Sequence, residues 1–166
     1  MTAETEQDLP PWDGQVASFE ELFLGNTDAI HFMSVVSRWS HLYDDLIDGD
    51  KEIDPEFIHA VMWDIMVGLP SNKFYITHAA SLTPIMATGI INWRGANEME
   101  RNGCKEELYI SHATRYSVGD VALMAMALLG GPMHAAMYAR DARLSFQRDT
   151  IAHYLEEQGH GGLRGR

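Results

Sequence analysis

Three aspartates, Asp44, Asp45 and Asp48, close a segment, Arg38–Asp48, that also carries His41. Carboxylates at this spacing can hold a hard divalent cation, which takes oxygen ligands and keeps waters that a phosphate can replace. On a helical wheel, Arg38, His41, Asp44, Asp45 and Asp48 fall within an arc of about 120°. The apolar residues Ala29, Phe32, Val36, Trp39 and Tyr43 recur at steps of three and four and centre on the other side.

An amphipathic helix with a wet face accounts for that arc by itself. Two features favour a cation instead. Between Thr27 and Asp48 there is neither Lys nor Glu, the residues that commonly cover solvated helix faces. Three Asp at a helix C-terminal end also oppose the macrodipole and repel one another at i,i+3 and i,i+4. A bound Mg2+ or Mn2+ would relieve both. The expected metal ligands are therefore Asp44, Asp45 and Asp48, with Arg38 placed to neutralise phosphate charge. A calcium loop of the EF-hand kind is excluded, because starting it at Asp44 puts Leu46 and Pro55 where oxygen ligands are required.

Asp120 is a second candidate, the only charge between Tyr116 and Ala139. Either it completes a site facing the first cluster, or it is half of a structural ion pair with Arg115 or His112, one and two turns earlier. Cys104 is the only cysteine, which excludes an intramolecular disulfide and a thiolate zinc cluster. It sits in a turn without an acid–base partner nearby in sequence, and no phosphate-cradling Gly loop or triad spacing is present.

Asp44-Asp45-Leu46-Ile47-Asp48 resembles the aspartate-rich DDxxD motif of class I isoprenoid synthases. With Ser37-Arg38-Trp39 before it and Gly49 after it, it is most similar to the squalene and phytoene synthase branch. Tyr116-Ser117-Val118-Gly119-Asp120-Val121-Ala122-Leu123-Met124, followed by Gly130, is similar to the small-residue helix that lines the prenyl pocket there. The resemblance implies Mg2+ on the aspartates and a prenyl diphosphate substrate. The family's second acidic motif is missing; its nearest stand-in is Arg148-Asp149 with His153, and the chain is about half the family's usual length. A second resemblance, through His41–Asp50, Leu69-Pro70-Ser71-Asn72 and Phe74-Tyr75, is to uncharacterised small proteins of tailed bacteriophages, and it implies no activity.

The elements that must position these residues read as helices. With 166 residues the chain has room for one domain with a core. Asn26 or Thr27 caps a long helix to Asp48, which Gly49 stops. Asp54-Pro55-Glu56 starts a second, ended by Gly68-Leu69-Pro70. Ser71 caps a third through Ala80, and Thr83-Pro84 begins a fourth toward Met99. A fifth runs from Lys105 to Leu129, and Gly130-Gly131-Pro132 separates it from a last one, Met133–Glu157. No alternating run of β-branched residues suggests a strand. The expected fold is all-α, a single antiparallel bundle of four to six helices over residues 17–158. Residues 1–16 read as a flexible acidic arm and 159–166 as a flexible tail.

The net charge is −12, and the stretch Asp44–Glu56 holds seven acids and one Lys. Such a balance excludes nucleic acid as main partner, because phosphate binding needs clustered Lys and Arg. The uncharged run Val121–Ala139 is broken by its Gly-Gly-Pro and reads as core, not as a membrane span. With no signal-peptide pattern in Met1–Gly14, a cytoplasmic protein is expected, in a host's cytoplasm if viral. Homo-oligomerisation stays open. The functional expectation is a divalent-metal-binding helical protein, a Mg2+-dependent enzyme acting on a diphosphate-bearing small molecule. Nucleotide pyrophosphohydrolysis is a further branch, though its paired Glu motifs are not evident. The alternative is a non-enzymatic, phage-encoded protein acting by protein–protein interaction.

Overall fold

The computed structural model describes residues 16–49, 52–102, 104–147 and 149–159. Residues 1–15 of the expected acidic arm and 160–166 of the expected tail lie outside the described residues, as do Asp50 and Arg148. The fold is all-α, and no strand occurs among the described residues. Its helices are α1 (Phe19–Leu22), α2 (Thr27–Asp48), α3 (Pro55–Trp63), α4 (Leu69–Ser71), α5 (Lys73–Asn102), α6 (Lys105–Arg115), α7 (Val118–Met137), α8 (Ala139–Phe146) and α9 (Ile151–Glu157).

α2 begins and ends as its sequence dictates. The Asn26 side chain accepts from Ala29 N at 2.9 Å, and Gly49 closes the helix in the left-handed region, φ 62°, with its N–H on Asp45 O. Asp54 caps α3 by accepting from Glu56 N at 3.0 Å, with Pro55 at the first helical position. The predicted stop at Gly68-Leu69-Pro70 is not where the helix ends. A π-helical turn, Asp64–Gly68, carries the chain into α4. Pro70 has no N–H for the carbonyl four residues back, and the wider i→i+5 turn, with Leu69 N–H on Asp64 O, absorbs that defect. The chain turns at Asn72, not Ser71: Asn72 Oδ1 accepts from Tyr75 N at 2.8 Å.

The third and fourth expected helices are one. α5 runs unbroken through Thr83-Pro84. Both Pro84 and Ala80, whose carbonyl loses its partner, are exposed, so water can take the carbonyl left free. The fifth expected helix is two, because the chain turns at Tyr116-Ser117 between α6 and α7. α7 is itself broken at Gly131, φ 81° and ψ 172°, at the predicted Gly-Gly-Pro. The expected last helix is divided into the end of α7, α8 and α9.

α5 and α6 form an antiparallel hairpin, and α2 and α7 pack on α5. Phe32, Met33, Val35 and Val36 of α2 meet Phe74 and Leu82 of α5 and Val121, Ala122, Ala125 and Met126 of α7 in one core. Ala122 and Ala125 of α7 are fully buried in this core. α8 packs on α7, and α9 on α6.

By length and composition, Lys73–Arg101 and Lys105–Met137 are each long and apolar enough to cross a membrane. The second stretch is broken at Tyr116-Ser117 and at Gly131, and it supplies part of the core. The sequence expectation considered only the run from Val121 and passed over α5, whose outer face shows Ile76 and Ile91 to solvent.

Candidate functional site

The C-terminal half of α2 forms one wall of an open cleft of about 680 Å³. Asp44, Asp45 and Asp48 all line it. Facing them are Asn97 and Glu100 of α5, with Asp149 just before α9 and Glu157 at its end. Among the described residues, six carboxylates thus share one cleft with two guanidinium groups, Arg101 and Arg115.

Arg115, the last residue of α6, ties the walls together. Its guanidinium pairs with Glu100 and, at 3.0 Å, with Asp44 Oδ1. It lies over the rings of Trp93 and Tyr154, 5.9 and 5.8 Å from their centroids. Arg115 is 13% exposed and Glu100 12%, whereas Asp44 is 39% exposed. Burial works against the charge of Arg115, yet Glu100 and Asp44 outweigh it and hold its pKa above the usual value. Burial raises the Asp44 carboxyl above the ordinary aspartate range despite Arg115, with Asp45 and Glu100 adding to the rise.

Behind Glu100 the network continues into the core. The Tyr154 hydroxyl donates to Glu100 Oε1 at 2.6 Å and lies 2.8 Å from Ser111 Oγ, which donates to Ala96 O at 3.0 Å. Burial, then the bond to Glu100, push the Tyr154 phenol up to about 12. On the α9 side, Tyr116 donates to Asp149 Oδ2 at 3.2 Å, and burial and Asp149 raise its phenol well above normal. The His112 ring lies 3.3 Å from Asp149 O and is held below the usual histidine pKa, chiefly by burial. Asp149, His153 and Glu157 present ligand atoms within 4.8 Å of one another. Asn97 is 6% exposed, and its Oδ1 has no hydrogen-bond partner among the described residues.

A smaller apolar pocket of about 40 Å³ adjoins the cleft, with Trp93 and Arg115 facing both. Val36, Trp39, Tyr43, Met86 and Val121 wall it. Trp39 stacks on Tyr43, and Tyr43 packs on Trp93 with ring centroids 4.7 Å apart.

The structure brings together only part of the predicted site. Asp44, Asp45 and Asp48 share the cleft, but Asp44 is engaged by Arg115. Arg38 is absent from the cleft lining: its guanidinium pairs with Asp64 at 2.5 Å, in the π-helical turn. Asp120 is absent too, and its partner is Arg143 of α8, neither Arg115 nor His112. The turn at Tyr116-Ser117 explains this, because it breaks the helical register that would have stacked Arg115 and His112 beneath Asp120. Sequence reasoning missed Glu100, Asn97 and Tyr154. The available signal was a Glu and an Arg facing inward on adjacent helices, which needs the α5–α6 pairing to be seen.

No family model, curated protein or solved structure matches this chain.

Proposed function

We propose that the protein binds a divalent cation, Mg2+ or Mn2+, in this cleft through Asp45 and Asp48, and acts as a metal-dependent enzyme on a diphosphate-bearing substrate. The observation that carries this reading is the acidic α2 wall facing Glu100, Asp149 and Glu157 across one cleft. Arg115 already sits between Asp44 and Glu100, and a divalent ion would add positive charge to a cleft whose described lining holds more carboxylates than guanidinium groups. The metal would hold the phosphate oxygens and stabilise a departing diphosphate. In place of Arg38, the cationic group at hand for phosphate is Arg101, which lines the cleft.

The test is a melting curve with and without Mg2+ or Mn2+, on wild type and Asp45→Ala. Metal at about a hundred times its Kd stabilises by about 2.7 kcal/mol. That amounts to about 5–10 °C for a chain of this size. Wild type should shift and the variant should not; no shift at millimolar metal rejects the reading.

A second reading is a non-enzymatic protein that acts by protein–protein contact. It is favoured by the exposed stripe Met62, Trp63, Met66 and Val67 along α3 and the π-helical turn, with Trp63 66% and Met66 67% exposed. Trp and Met are enriched at interface cores. Loss of a native binding partner by Trp63→Ser, with no metal response, would favour this reading over the first.

A further inference from the structure

α5 is apolar on both sides. Phe74, Leu82, Ile85 and Met86 pack into the core. On the opposite side Ile76, Ala80, Pro84, Ala87 and Ile91 are all exposed, with Lys73 and Glu98, also exposed, at the two ends. At about 100° per residue they fall within an arc of about 80°, a straight stripe about 37 Å long. A helix that is apolar all round belongs inside a larger body. Only 11% of the most apolar stretch of α5 is buried by the described residues, which leaves this outer face uncovered.

Charge decides what fits there. At a net −12, two copies of the chain repel over most approaches, but no Asp or Glu occurs between Asp64 and Glu98. The two ends then set the direction. Parallel pairing of two α5 helices would put Lys73 on Lys73 and Glu98 on Glu98. Antiparallel pairing, about a twofold axis level with Ile85 and Met86, puts Lys73 on Glu98 at both ends. The same register seats Ile91 on Ala80 and Pro84 on Ala87, a bulky residue against a small one each time, and lays Ile76 beside the aliphatic stem of Arg94. It also brings Thr88 level with the Ala80 carbonyl that Pro84 leaves free. Thr88 donates to its own Pro84 O at 3.0 Å and can turn to that carbonyl when the contact excludes water. A lipid surface fits less well, because the stripe is flanked by Thr77, Ser81 and Thr88, not by the Lys and Arg that hold a helix on a membrane.

We propose that the outer face of α5 is a self-recognition surface, through which two copies of this chain pair antiparallel with Lys73 of each on Glu98 of the other. A strip of this length and one helix width buries on the order of 800 Å² in all, at the low end for a specific contact, so the dimer is reversible.

Sedimentation velocity of the full chain from about 1 to 200 µM reads the association, and a wild type that passes from monomer to dimer over this range is expected. The variants are Ala87→Glu, Lys73→Glu, Glu98→Lys and the swap Lys73→Glu/Glu98→Lys, each checked for fold by circular dichroism. Ala87→Glu puts a carboxylate at the centre of the contact and should leave only monomer. Each single charge variant sets like charges together at both ends and should weaken the dimer about tenfold or more. The swap restores opposite charges and should recover the wild-type affinity. A chain that stays monomeric throughout overturns the proposal, as does a dimer that Ala87→Glu leaves intact. A dimer lost in Ala87→Glu but not rescued by the swap overturns the antiparallel register. A monomer that floats with phosphatidylcholine vesicles, and no longer does so as Ala87→Glu, would assign the face to lipid instead.

Discussion

Replacing Arg115 by Met removes the charge that joins α2, α5 and α6 while keeping most of the side-chain stem. Glu100 would then stand 12% exposed with Tyr154 and Ser111 as its remaining partners among the described residues, and Asp44 would face it across the gap. Removing one member of a buried ion pair costs about 3–5 kcal/mol, because the remaining charge stays desolvated. The Asp44 arm adds little, since at 39% exposure it is screened and worth about 0–1 kcal/mol. The lost contacts with Trp93 and Tyr154 add about 0.5–1 kcal/mol. The expected loss, about 3.5–7 kcal/mol in all, lowers the melting temperature by about 7–28 °C. Urea unfolding followed by circular dichroism at neutral pH measures it. The double variant Glu100→Gln/Arg115→Met should recover more than half of the loss, because it removes the stranded carboxylate along with its partner. A loss under about 1 kcal/mol in Arg115→Met, or a double variant no better than the single one, would refute the network as drawn.

Two further outcomes are expected. Gly131 has φ 81° and ψ 172°, a region open almost only to glycine, and nothing lies within 4 Å of the position a Cβ would take. Gly131→Ala should therefore cost about 1–3 kcal/mol by urea unfolding through backbone strain alone, and a neutral result would mean that the α7 break is elsewhere. His112 has a folded pKa below its ordinary 6.5, so the unfolded chain binds the proton more readily. Its contribution is present above about pH 6.5 and is lost as pH falls into the window below it. His112→Gln, which keeps a donor for Asp149 O, should flatten the fall in melting temperature between about pH 7 and pH 5, and an unchanged slope would show that the ring does not titrate on unfolding.

Much of the secondary structure was written locally. The bounds of α2 follow from Asn26, the apolar spacing and Gly49, and the start of α3 from Asp54-Pro55-Glu56. Each of these is a bond or a dihedral preference settled within four residues. The all-α class follows from the same periodicity, and the break at Gly131 from Gly130-Gly131-Pro132. Proline could not be read this way. Thr83-Pro84 looks like a helix start and Gly68-Leu69-Pro70 like a stop, yet α5 runs through the first and a π-helical turn bridges the second. Whether a proline ends a helix depends on whether the carbonyl it orphans reaches water or a wider turn, and only the packing decides that.

For the site, the sequence by itself determined that Asp44, Asp45 and Asp48 share one face of one helix, because helical geometry fixes neighbours at three and four residues. It could not determine what stands opposite. Arg38 and Asp120 had the right chemistry, but Asp64 in the π-helical turn and Arg143 on α8 claim them, both through contacts between distant segments. Arg115 was expected beside Asp120 along one helix, and the turn at Tyr116-Ser117 sends it instead to Glu100 and Asp44. The pairing of α5 with α6, and of α9 with α6, then sets Asn97, Glu100, Asp149 and Glu157 before the α2 aspartates. Coulomb attraction and burial depend on distance in space, so the partners of a charge become visible only when the helices are packed.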